Sequence, residues 1–318
     1  MYHLMQLKSM LLMPCLLMCM AVHVAAQHND TTGQPLRDEE KDLVSLLDAA
    51  GGGGQRQYTT AVFKTTRLIN GHSIENTAAG VLDFRISHRF GRIDGGAKEW
   101  FGLDGATIRL GLDYGVTDWL TVGVGRSSYQ KEYDGFVKAR ILRQTDDGSM
   151  PLSVSYLGAM SVTSISAPPL PAGQEWYFTN RLFYVNQLLI ARKFNQWISL
   201  QLMPAHVHYN LVDTRSEPND VLAIGVGGRV KLSKRVTFNA EYYYQPPGSK
   251  LNGTVNSLSV GFDIETGGHV FQLHFTNSTG MTERTFIGQT VDKWSNGGMH
   301  FGFNISRVFT IVRPKEFR

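Results

Sequence analysis

From Tyr58 onward the chain runs in short segments of alternating apolar and polar residues, broken by Gly, Asn, Asp and Pro. Between Gly105 and Val116, residues Ala106, Ile108, Leu110, Leu112, Tyr114 and Val116 share one face. Thr107, Arg109, Gly111 and Asp113 share the other. A period of two is the signature of a β-strand, whose side chains point alternately to its two faces. The same phase sets Leu82, Phe84, Ile86 and Phe90 against Asp83, Arg85, Ser87 and Arg89, and Leu258, Val260, Phe262 and Ile264 against Ser259, Gly261, Asp263 and Glu265. Such segments fall at 80–90, 105–116, 119–129, 135–143, 151–163, 180–193, 197–210, 221–232, 235–245, 255–265, 269–278 and 299–311. Each is long enough to supply the roughly nine to eleven residues that a tilted bilayer crossing requires.

A soluble β-sandwich also alternates, but two features favour a barrel. Aromatic residues gather near segment ends, at Trp119, Tyr129, Trp176, Tyr177, Trp197, Tyr209, Tyr242 to Tyr244 and Phe309, as interfacial girdles do. The polar phase carries charges in mid-segment, which a dry sandwich core would have to pair or expel. The expected fold is therefore all-β, a transmembrane antiparallel up-and-down β-barrel of about 12 strands, with 14 as the alternative. The tight connections (116–118, 194–196, 233–235, 266–268) fall on one side, which outer-membrane barrels turn to the periplasm, and the long ones (91–104, 167–179, 212–220, 280–296) fall outside. Counting Thr59 to Asn70 as a further strand gives an odd number and starts the wall on the wrong side. Residues 58–79 are therefore expected to be a plug or constriction segment across the barrel, with Lys64, Arg67, His72 and Glu75 meeting the charged interior.

The N-terminus sets the compartment. Lys8, the apolar stretch Met10 to Val22 and the small residues Val24-Ala25-Ala26 have the parts of a cleaved secretory signal over residues 1–26. Residues 27–57 read as a flexible periplasmic leader ending in the linker Gly51 to Gly54, 80–311 as the barrel and 312–318 as a basic tail. Both cysteines, Cys15 and Cys19, lie in the signal, so the exported chain is expected to hold no disulfide. The formal net charge of +4 includes Lys8 and is spread along the chain, which argues against a nucleic-acid partner. The expected location is the outer membrane of a Gram-negative cell. The expected partners are its lipid and an unidentified small solute or periplasmic protein.

Several strings carry a family resemblance: Phe63-Lys64-Thr65-Thr66-Arg67-Leu68-Ile69-Asn70-Gly71-His72-Ser73-Ile74-Glu75, Ile86 to Arg92, Leu188 to Phe194, Asn239 to Tyr244, and the long Gly261 to Ser278. Over about Tyr58 to Thr310 the chain resembles a bacterial family of membrane-bound β-barrel proteins catalogued as a domain of unknown function. That resemblance implies an outer-membrane barrel and supplies no activity and no catalytic residues.

Candidate chemistry is sparse. Gly123-Val124-Gly125 and Gly225-Val226-Gly227-Gly228 lack the following helix that a phosphate loop needs, and as strand glycines they relieve crowding on a curved sheet. His206 and His208 share a face, but two ligands are too few for a metal, so they read as polar rim residues. No Gly-x-Ser-x-Gly string accompanies His88 or His274, and no enzyme, metal or cofactor is expected. What stands out is the charged polar phase: Asp83, Arg85, Arg89, Arg109, Asp113, Lys138, Arg140, Arg229, Glu241, Asp263, Glu265 and His274. These residues suit the lining of a water-filled path, hence a small channel or transporter, or else a paired ladder filling a non-conducting structural or docking barrel. A lipid-acting enzyme is the least favoured reading.

Overall fold

The computed structural model describes residues 57–166 and 176–312. The signal at 1–26, the leader up to residue 56 and the tail from residue 313 lie outside the described residues. The wall comprises β1 (Val81–Arg92), β2 (Ala106–Gly115), β3 (Leu120–Ser127), β4 (Glu132–Leu142), β5 (Ser153–Thr163), β6 (Leu182–Lys193), β7 (Ile198–Tyr209), β8 (Asp220–Lys231), β9 (Val236–Tyr244), β10 (Ser257–Thr266), β11 (His269–Thr276) and β12 (His300–Thr310). Each strand pairs antiparallel with its sequence neighbours, and β1 pairs with β12 from Val81↔Thr310 to Arg89↔Gly302. The ring closes with 12 strands, so no edge is left unpaired and the alternative of 14 does not apply.

The two faces of the wall are inverted relative to a water-soluble domain. On β2, Leu110 and Leu112 are 46% and 43% exposed, whereas Arg109 and Asp113 are 4% and 2% exposed. An apolar band turned outward and charges turned inward is what a lipid solvent selects, since every backbone group of a closed ring is satisfied within the sheet. Among the described residues no helix is long and apolar enough to cross a membrane.

Two predicted features need correction. Tyr209 and Tyr243 do not join an outer girdle: both are buried on the inner face, in phase with Val207 and Glu241, while Tyr242 and Tyr244 are exposed on either side. The connection at 280–296 is not simply an outside loop. Its short helix α1 (Glu283–Gly288) is buried at every residue, because Phe286 and Ile287 need apolar cover.

Candidate functional site: the interior of the barrel

Residues 58–79 add no strand to the wall. Arg67 and His72 form an antiparallel bridge and the Leu68 amide donates to the Gly71 carbonyl at 2.8 Å, so 67–72 is a tight turn. At its tip the amides of Ile69, Asn70 and Gly71 all donate to the Glu241 carboxylate of β9, at 3.3, 2.8 and 3.1 Å. Successive amides converging in this way make an anion-binding concavity. Other wall side chains take the remaining backbone groups. Gln272 of β11 donates to the Leu68 carbonyl (2.9 Å), Asn304 of β12 to Ile69 (2.9 Å), Gln201 of β7 to His72 (2.7 Å), and Arg229 of β8 to Ala61 (2.9 Å). Lys138 of β4 donates to the carbonyls of Ser73 and Glu75. An irregular segment buried among side chains needs such partners, since it has no ladder of its own.

The sequence-predicted charges separate into several arrangements. Asp83 pairs with Arg85 at 2.7 Å, and Asp113 faces Arg67 at 3.4 Å. Arg89 donates to Asn70 (2.7 Å) and Asn304 (3.0 Å). Arg109 does not pair with Asp113 two residues on; it grips Asp134 of β4 through both Nε (2.9 Å) and Nη2. It reaches across β3 because Gly125 leaves room: a Cβ there would lie 2.3 Å from its Nη2. Asp263 accepts from Gln272 at 2.9 Å, and His274 lies buried against Gly302. Arg140 and Glu265 sit nearer the tight-turn end, where Arg140 donates to the Asp118 carbonyl and Glu265 is bonded to Lys64. Glu75 turns back on its own segment and accepts the Phe63 amide at 3.1 Å.

The model of the membrane bound beta barrel domain (DUF5777) matches residues 63–309. The chain belongs to this family. It is a membrane-bound β-barrel, and the match takes in the whole turn that meets Glu241 and all of the wall but Thr310. No curated protein matches the chain. Solved structures with some likeness include the NanC porin (9% identity, 73% of this chain and 100% of that one, TM-score 0.45) and the KdgM porin (11%, 72% and 99%, 0.42). The COG4313 outer membrane channel from Pseudomonas putida F1 is similar at 12% identity, over 74% and 98%, with a TM-score of 0.44. Likenesses this low decide nothing about the barrel's activity.

In this membrane-bound barrel the second insert, α1, comes from the opposite end. Arg284 lies 3.8 Å over the Phe183 ring and 3.2 Å from Glu132, and the Tyr209 hydroxyl donates to the Arg284 carbonyl at 2.9 Å. Phe286 packs on Tyr243 with ring centroids 5.1 Å apart. The inserts meet where His72 Nε2 is 3.6 Å from Glu283 Oε1. Burial, and then the Arg67 charge 2.6 Å from Nδ1, holds the His72 imidazole well below its ordinary range, so Nδ1 accepts from Arg67 and Nε2 carries the hydrogen. Above α1 opens a vestibule of about 450 Å³, lined by Tyr129, Arg181, Phe183, Asp213, Glu217 and Arg284 among others. Sequence reasoning missed Glu132, Asp134 and α1. For α1 a signal existed: Thr282 before an apolar Phe286-Ile287 pair closed by Gly288, with the Thr282 amide donating to Thr285 Oγ1 at 3.1 Å.

Proposed function

We propose that this protein is an outer-membrane channel for small polar solutes, closed at rest, with residues 58–79 as its plug. The observation that carries this reading is that 58–79, outside the wall, hydrogen-bonds to inward side chains of strands all around the ring, from Arg89 on β1 to Asn304 on β12. Each such bond contributes about 0.5–1.5 kcal/mol net, because water replaces it on release, so this polar contact can yield step by step. Once withdrawn, the plug would leave a path lined by Asp83, Arg85, Arg89, Arg109, Asp113, Lys138 and Glu241, whose mixed charges set ion preference by local field. The export signal and the tight-turn end together orient both wall termini, and the plug, toward the periplasm.

Asn70 Nδ2 and Ser259 Oγ are 2.9 Å apart, which suits a thiol lock in a chain free of Cys15 and Cys19. In a planar bilayer the pair N70C/S259C is expected to be silent when oxidised and to open when reduced. Equal conductance in both states refutes the plug.

One observation favours the non-conducting alternative: Val62, Phe63, Leu68 and Ile74 share a buried apolar cluster with the wall and with Phe286 and Ile287, as a permanent core would. Silence of the reduced protein and of the wild type under every applied voltage would establish that reading instead.

A further inference from the structure

We infer that His206, His208 and Asp220 form a binding site for a divalent transition-metal ion on the outward face of the barrel, at its long-loop end. His206 and His208 are two residues apart near the end of β7 and therefore point the same way, out from the wall with Leu200 and Leu202. As a pair they are one ligand short. The register of β7 and β8 supplies the third, because His208 stands directly opposite Asp220. His206 Nε2 and His208 Nδ1 each lie 2.7 Å from the same oxygen, Asp220 Oδ1. The three ligand atoms fall within 4.8 Å of one another.

Two imidazoles aimed at one carboxylate oxygen present the electron pairs that a single cation accepts once the bridging protons leave. A tetrahedral ion about 2 Å from each nitrogen needs them about 3.3 Å apart. The rings close to that spacing by rotating about their side-chain bonds, while the paired strands hold the backbone fixed. About a third of each side chain's surface is exposed, 37% for His206 and 36% for His208, and the Tyr184 ring stands 6.4 Å from that of His208, which leaves the rings room to turn. As a hydrogen-bonded surface triad alone the arrangement would add little to stability. Imidazole with one carboxylate suits zinc, nickel or copper and disfavours magnesium and calcium. Three protein ligands leave a coordination position for water or for a donor from outside, so the bound ion is exchangeable and open to a second partner.

The test uses the untagged full chain, folded in detergent near neutral pH and titrated calorimetrically with zinc chloride, with cobalt chloride as the optical probe. One ion per barrel is expected, with visible cobalt absorption of low-symmetry coordination and no competition from excess magnesium. His206→Ala, His208→Ala and Asp220→Asn are each expected to weaken binding at least about tenfold, as loss of metal-site support does. Asp220→Asn preserves the shape of the strand, so its effect stands apart from any folding defect, which the heat-shifted gel band reports. Absence of zinc and cobalt binding by the wild type overturns the assignment. So does unchanged affinity and stoichiometry in all three variants.

Discussion

The interior has two unlike sides. Along β6 to β8 the inward residues include Phe183, Val185, Leu189, Met203, Val207, Val221 and Ala223, so much of their inner face is apolar as well, interrupted by Gln187, Ser199, Gln201 and Arg229. Along β1, β2, β4 and β9 to β11 the inward residues include Arg85, Arg89, Arg109, Lys138, Glu241 and Asp263. The inserts are fitted to this difference. Leu68 packs where a Cβ on Gly227 would come within 2.8 Å of its Cδ2, and Phe286 rests on Tyr243, whereas the tip at Ile69 to Gly71 hangs on Glu241. Hydrophobic contact thus fixes one flank of the inserted chain without direction, and hydrogen bonds fix the other with direction.

The largest expected effect lies on the apolar flank. Phe286→Ala should lower unfolding stability by about 3–5 kcal/mol, the range for emptying a fully packed aromatic site, read as an earlier urea midpoint of the folded gel band. An unchanged midpoint would mean that α1 adds nothing to this flank. Next comes the contrast between outside and inside. Leu110→Arg should cost about 2–4 kcal/mol and impair assembly, because the cation meets lipid. Arg109→Glu, which faces Asp134 across Gly125, should instead leave an assembled barrel with altered local unfolding, seen by proteolysis. Equal tolerance of the two would reverse the facing.

On the directional flank Glu241→Gln keeps the shape and removes the charge. The three amide bonds should weaken by about 1 kcal/mol each, the difference between charged and neutral acceptors, with faster amide exchange at Ile69 to Gly71. No change in exchange would show that the turn is held by Leu68 alone. The smallest effect is expected at the rim. Glu265→Ala removes the half-exposed partner of Lys64 and should shift the midpoint by less than about 1 kcal/mol, vanishing in high salt.

The wall was legible because lipid outside and charge inside enforce a period of two over nearly every strand. Asp83 and Arg85, for instance, alternate with Leu82, Phe84 and Ile86, and the observed strand β1 (Val81–Arg92) begins one residue from the expected position. Residues 58–79 were also legible as something other than wall, from parity of the strand count. Partnerships were not. Arg109 chooses Asp134 through a gap at Gly125 two strands away, and Asp220 joins His206 and His208 only through register. A one-dimensional pattern carries no cross-strand distance. The apolar interior of β6 to β8 was hidden for another reason. Where apolar residues take the inner phase as well, as Met203, Ala205 and Val207 do, the alternation fades and Tyr209 resembles an interfacial aromatic, while Tyr243 of β9 resembles one because Tyr242 and Tyr244 flank it, although its phase with Glu241 turns it inward.

The turn at 67–72 also touches both sides of the seam where the ring closes. Asn70 accepts from Arg89 on β1, and Ile69 accepts from Asn304 on β12, the two strands that are last to meet in sequence order. Joining these strands encloses more than two hundred intervening residues, so the loop-closure entropy falls chiefly on this one seam. A segment made before either strand, and bonded to both, acts as a template that the sheet curls around. The barrel would then zip shut over its own N-terminal guest, and parting the seam sideways would mean first stripping that guest from both lips.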